Sequence, residues 1–230
     1  MAERSHPNRH GIDVSDFQGQ IDWEMAAWHV SMAYVQVGGS TGQGSYECRT
    51  ARQNLSGARA AGLAVGAYYY CYPTTDGAPF EGTHAAYVAH AAGWDPEGDL
   101  PLALDLEINP EAMPFTAMSN WIDACLGATG IDPKHLAIYT DPAFWTANTD
   151  GRAVNAHLWV AAWGAPKPPR LTGLPEPFCW QVSSCGRIPG IQGPVDLDTL
   201  LFVPDAPPVR APENVQETPG GPILRPPGDP

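Results

Sequence analysis

Positive charge is scarce in this chain. Only 12 of its 230 residues are Lys or Arg, against 25 Asp or Glu, which gives a formal net charge of −13. Nucleic-acid binding needs clustered cations on phosphate, so that class of partner is disfavoured. Electrostatic docking on an anionic membrane is disfavoured for the same reason. Long apolar runs are missing too: none reaches the ~18 residues a bilayer span requires. The opening "MAERSHPNRHGIDVSD" has no apolar signal core. No G-x-G-x-x-G follows the first strand-like run and no P-loop occurs, so a nucleotide-binding sheet has little support. Cysteine is sparse and odd in number, at Cys48, Cys71, Cys125, Cys179 and Cys185. The spacings match no common zinc pattern. Free, largely buried thiols are expected, with Cys179 and Cys185 the pair nearest in sequence if a disulfide forms.

What is present is a core-forming composition, 43% hydrophobic with eight Trp and eight Tyr. Short apolar runs alternate with helix-like patterns. Strands are expected at Gly11–Val14, Ala33–Val37, Ala64–Tyr70, Leu102–Glu107, Leu136–Tyr139, Leu158–Ala162, Phe178–Gln181 and Pro194–Leu197. Helical spacing falls in "ECRTARQNLSGARAAGL", ended by Gly62, and in "THAAYVAHAAGW" and "TAMSNWIDACLGATG". Asp22 is placed to cap the helix at "WEMAAWH". Alternating strands and helices imply βαβ units and a largely parallel sheet. Eight strands in about 200 residues suit a small β/α barrel; an open doubly wound sheet is the alternative. Residues 205–230 hold eight prolines and little aliphatic periodicity. They read as a Pro-rich disordered tail or linker. This leaves residues 1–9 as an N-terminal extension and 10–204 as the domain.

Several strand-like runs end in acid: Asp13, then Asp105 and Glu107 in "LPLALDLEINP", then Asp196. In a barrel, the C-terminal ends of the strands converge on one site. Asp105 and Glu107 stand two residues apart, so on a strand they share a face at roughly 6.5–7 Å between Cα atoms. Like charges that close raise one pKa. A carboxyl kept protonated can donate to a leaving oxygen while an ionised neighbour stabilises positive charge, which is the division of labour in glycosidic cleavage. An isolated D-x-E pair is more often mere strand-end solvation; the other acids and the aromatics shift the balance. Tyr68, Tyr69, Tyr70, Tyr139, Trp159, Trp163 and Trp180 fall near strand ends, where flat rings suit sugar faces. Trp23, Trp28, Trp121 and Trp145 read as ordinary packing, and the histidines show no ligand spacing.

Five segments in order, "GIDVSDFQGQIDW", "LALDLE", "LAIYTDPAFW", "LWVAAW" and "WQVSSCGRIPGIQGPVDLD", resemble the glycoside hydrolase family 25 muramidases, the Chalaropsis-type lysozymes common in phage lysins. The resemblance covers about residues 10–203. It implies an irregular β/α barrel that hydrolyses the β-1,4 bond between N-acetylmuramic acid and N-acetylglucosamine in bacterial peptidoglycan, with no metal or cofactor. It assigns Glu107 as general acid, Asp105 as the carboxylate beside it, and Asp13 and Asp196 as acids shaping the pocket. Tyr68, Tyr70, Tyr139, Trp159, Trp163 and Gln181 are the substrate-binding candidates. The sequence departs from the pattern at Gln36, Tyr69, Trp163, Val182 and Asp198, the last standing where an Asn is usual. The missing signal core reads as a protein made in the cytoplasm without a signal peptide. It would reach the wall after holin-type release, or as part of a phage tail or particle docked through its C-terminal tail. A muramidase-like structural or binding subunit of such a particle is the rival reading. A zinc amidase is a third, and it lacks an assembled set of His and Cys ligands.

Overall fold

The computed structural model describes residues 10–204; the expected N-terminal extension and Pro-rich tail lie outside them. Nine strands form one sheet: β1 His10–Val14, β2 Met32–Thr41, β3 Gly44–Glu47, β4 Ala64–Tyr70, β5 Leu102–Asp105, β6 Leu136–Thr140, β7 His157–Ala161, β8 Pro177–Gly186 and β9 Val195–Leu200. The order is β1-β9-β8-β7-β6-β5-β4-β2-β3, and β1 also pairs with β2. That last pairing closes eight strands into a barrel and leaves β3 outside as the return arm of a hairpin on β2. The open-sheet alternative is thereby excluded. Neighbours around the barrel run parallel, except that β9 is antiparallel to both β1 and β8.

The helices are few and uneven, as expected for an irregular barrel. They are α1 Trp23–Ala26, α2 Ala51–Ala60, α3 Ala78–Ala92, α4 Phe115–Ala128 and α5 Pro142–Asn148. No α-helix bridges β7 to β8 or β8 to β9. Asp22 caps α1, its side chain accepting from the Met25 amide at 3.0 Å. Gly62, with φ +84°, turns the chain out of α2 in a conformation a β-carbon would disfavour. No described helix is long and apolar enough to cross a membrane.

Two apolar layers hold the fold. The outer one lies between barrel and helices, where Leu55, Val88, Met118, Trp121 and Ile122 meet Val35, Val65, Leu104 and Ile138. The inner one fills the barrel with Met32, Tyr34, Ala103, Ala137, Tyr139, Trp159 and Phe178. Tyr34 stacks on Trp159 with ring centroids 4.4 Å apart, and Tyr139 meets the same indole edge-on at 4.6 Å. Space for the Tyr34 ring comes from Gly66 on the neighbouring strand, where a β-carbon would lie 2.3 Å from the ring. The α3–α4 contact is equally tight: a β-carbon on Gly82 would fall 2.0 Å from the Cys125 carbonyl oxygen.

Trp23, Trp121 and Trp145 are core residues as expected, but Trp28 is 62% exposed, because α1 ends at Ala26, before the chain can turn that side chain inward. All five cysteines are free thiols; Cys179 is buried inside the barrel and Cys185 is exposed.

Candidate active site

The C-terminal ends of the parallel strands open onto a cleft of about 240 Å³. Asp13, Asp105, Glu107 and Asp196 line it, with Tyr68, Tyr70, Tyr139, Trp159 and Gln181. Nine of the ten site residues expected from sequence therefore meet in one place. The tenth, Trp163, stands at the rim, 60% exposed, and joins the site through its indole nitrogen, which donates to Gln181 Oε1 at 2.8 Å. Val14, Ser15, Phe17, Gln18 and Gln36 complete the wall. Among the lining residues there is no Lys, Arg or His, so none of them balances the negative charge of the cleft.

Each acid is set by its strand. Asp13 lies opposite Asp196 across the β1–β9 ladder. Asp105 ends β5, where it pairs with Tyr139. The strand ladder stops there, so the expected strand is two residues too long. Leu106 still donates to the Tyr139 carbonyl at 2.9 Å and turns its side chain into the core, leaving Glu107 on the loop at the mouth. Trp159 forms the floor rather than an exposed platform, since only 1% of it is accessible.

Gln181 organises the back of the site. Its Oε1 accepts from the Tyr139 hydroxyl at 2.9 Å as well as from Trp163, and its Nε2 donates to Asp13 Oδ2 at 2.8 Å. One inward step below Asp196, Asp198 is fully enclosed and accepts from the Trp159 indole at 2.9 Å. It also contacts Asp13. Sequence reasoning noted Asp198 only as a departure from the family pattern and did not place it among the site residues. The available signal was its two-residue offset from Asp196 in "VDLD", the same offset that joins Asp105 to Glu107.

Sequence reasoning expected one member of the Asp105–Glu107 pair to rise in pKa; both do. Burial pushes Asp105 well above the carboxylate range, with the charges of Glu107 and Asp13 adding to it. Glu107 opens to solvent at the mouth, yet the cleft walls strip enough water to raise it. The Tyr139 hydroxyl pulls the other way, and Asp141 and Asp196 add to the rise. Asp13 is pushed up to about 7, first by burial and then by Asp196, while hydrogen bonds from Gln181 and Asp198 hold it down. Burial also raises Asp196, opposed by its contact with Asp13. Asp105 Oδ1 is buried without a hydrogen-bond partner. Such an atom is costly to leave unpaired, so its natural partner is a donor on a bound molecule. No cluster of His, Cys, Asp and Glu among the described residues has the arrangement of a metal site.

The family comparison agrees with this geometry. Residues 12–191 match the profile of Glycosyl hydrolases family 25. The chain belongs to that family. It is 30% identical over 197 residues to lysozyme M1 of Streptomyces globisporus, covering 81% of this chain and 65% of that protein. The chain thus spans just under two thirds of that relative's length. Among solved structures, the bacterial lysozyme of Streptomyces coelicolor superposes with a TM-score of 0.72 at 29% identity, over 87% of this chain and 94% of the other. The Clostridium perfringens spore cortex lytic enzyme SleM reaches a TM-score of 0.75 at 22% identity, over 87% and 69% respectively, which speaks to the fold alone. This family 25 domain is built on an irregular, TIM-like barrel.

Proposed function

We propose that the protein is a peptidoglycan muramidase that hydrolyses the β-1,4 bond between N-acetylmuramic acid and N-acetylglucosamine. The observation that carries this reading is the cleft itself: four carboxyls with raised proton affinity and no cation among the lining residues. A carboxyl kept protonated there can donate to the leaving oxygen, and one ionised beside it, with no cation to neutralise it, stabilises the positive charge that the transition state gathers on the sugar.

Glu107 is the acid at the mouth, with its proton affinity raised and solvent within reach. It protonates the glycosidic oxygen as the bond to the anomeric carbon breaks. The unpaired Asp105 Oδ1 accepts the N–H of the substrate's 2-acetamido group. That contact favours the ionised form of Asp105 and steers the acetamido carbonyl oxygen onto the anomeric carbon. The resulting oxazolinium ring is then opened by water, which Glu107, now a carboxylate, deprotonates. Tyr68 and Tyr70 wall the same cleft and offer rings and hydroxyls to the sugar.

The test is mass spectrometry of digested peptidoglycan with the native protein and with Glu107→Gln. Fragments ending in reducing muramic acid are expected from the native protein. The variant should be slower by about 10²–10⁴-fold, the usual worth of a positioned proton donor, with unchanged circular dichroism. Reducing glucosamine, released peptide or an active variant would overturn the assignment.

A further inference from the structure

Below the cleft, two carboxyl groups touch with no cation between them. Asp198 is 1% exposed and Asp13 is 7% exposed. Asp198 Oδ1 is occupied by the Trp159 indole N–H. Its other oxygen, Oδ2, is buried and has no donor in reach. The polar group it meets is the Asp13 carboxyl, and oxygen against oxygen repels unless one carries hydrogen. We infer that Asp198 is a neutral carboxylic acid whose Oδ2–H donates to the Asp13 carboxylate, making Asp198 a positioning residue for the catalytic cleft.

The proton belongs on Asp198 rather than Asp13 for two reasons. Asp13 lines the cleft, where water and substrate reach it, whereas Asp198 is walled in by the strands on either side. Gln181 Nε2 already approaches Asp13 Oδ2 at 2.8 Å, so a second donor from Asp198 leaves Asp13 a carboxylate held from two sides. The titratable groups facing Asp198 are Asp13 on β1, Tyr34 on β2, Tyr139 on β6, Cys179 on β8 and Asp196 on β9. None of them is a cation, so none would compensate an ionised Asp198. Burial and the charge of Asp13 push its proton affinity the same way. Once Asp13 ionises, at about 7, the pair therefore holds one negative charge instead of two. Loss of that proton at high pH would set two like charges against each other in a space closed to water.

The protonation stands apart from the muramidase reading; its effect on turnover rests on that reading. The first measurement is ¹³C NMR of full-length protein labelled at the aspartate carboxyls. The Asp198 carbon should keep the shift of a neutral acid from pH 4 to pH 7. A midpoint near the ordinary aspartate value of about 3.9 would overturn the inference. This uses the native protein, so it decides the matter even if no variant folds. The second is denaturant unfolding of the native protein and Asp198→Asn, whose amide keeps a donor without a titrating proton. Unfolding the native protein releases the Asp198 proton, so its unfolding constant relative to the variant should rise about tenfold per pH unit between pH 5 and pH 7. A ratio independent of pH would refute it. The third is clearing of peptidoglycan suspensions. Asp198→Asn should clear them and carry activity to higher pH than the native protein, while Asp198→Ala, with no donor, should lose it. An Asn variant as inactive as the Ala variant would count against a donor role. Failure of the native protein to clear them would reject the muramidase reading and leave the first two measurements standing.

Discussion

Gln181 is the side chain whose replacement should report most directly on how the site is held together. It is 2% exposed and makes three hydrogen bonds. Gln181→Leu preserves most of its volume and removes all three. Trp163 is at the rim and finds water, so its loss costs little. Tyr139 has Glu107 as a second partner. Asp13 keeps only Asp198 as a donor and is itself 7% exposed, and a buried charged acceptor that loses one of its donors costs about 1.5–3 kcal/mol. The expected total is ~2–4 kcal/mol, which for a domain of this size lowers Tm by about 4–15 °C. Gln181→Glu probes the same contact differently. The new carboxyl still accepts from Tyr139 and Trp163 but meets Asp13 with an oxygen. While protonated it donates as the amide did, and the cost is small. Its burial against Asp13 raises its proton affinity in the folded state, so the folded state binds more protons than the unfolded one. Stability must then fall as pH rises above the unfolded Glu value of about 4.3, by ~1.4 kcal/mol per pH unit while the proton is retained. Urea unfolding at pH 5 and pH 7, with native protein alongside, measures both effects. A Gln181→Glu penalty equal at the two pH values, or a Gln181→Leu penalty under ~0.5 kcal/mol, would show that Gln181 does not hold Asp13.

Removing the Tyr139 hydroxyl should move the pH profile of peptidoglycan clearing. That hydroxyl lowers the proton affinity of Glu107, so Tyr139→Phe should keep the acid protonated to higher pH and shift the alkaline limb upward; a downward shift would contradict the assigned hydrogen bond. Gly82→Ala should cost about 1–3 kcal/mol by forcing α3 away from the Cys125 carbonyl, with Tm lower by roughly 2–12 °C in calorimetry; an unchanged Tm would show that α4 yields freely.

Much of the barrel was legible because its strands are short apolar runs punctuated by helical stretches that end before Gly62, Gly93 and Gly130. The acids converged as expected because strand ends of a barrel share one rim, a rule of topology rather than of local sequence. β3 was missed for a physical reason: "GSYE" is exposed along its whole length and carries no alternation. It exists only because β2 runs on past the barrel and turns back at Gly44, φ +121°. The reversed direction of β9 leaves no trace in its residues. The family pattern led to an Asn at its core-facing position 198, whereas the chain places an aspartate there. Burial is what turns that aspartate from a surface acid into part of the site, and burial is a property of the closed barrel. Trp28 erred the other way, since a four-residue helix cannot carry it round to the core.

The direction of β9 has a practical corollary. Because it starts at the rim and descends, the described chain departs at Pro204 from the pole where His10 enters, with His10 paired to Thr199. Both ends thus share the floor of the vessel, opposite its opening. A tether, surface anchor or partner domain joined at His10 or Pro204 would leave the opening pointed outward, free to meet an insoluble polymer.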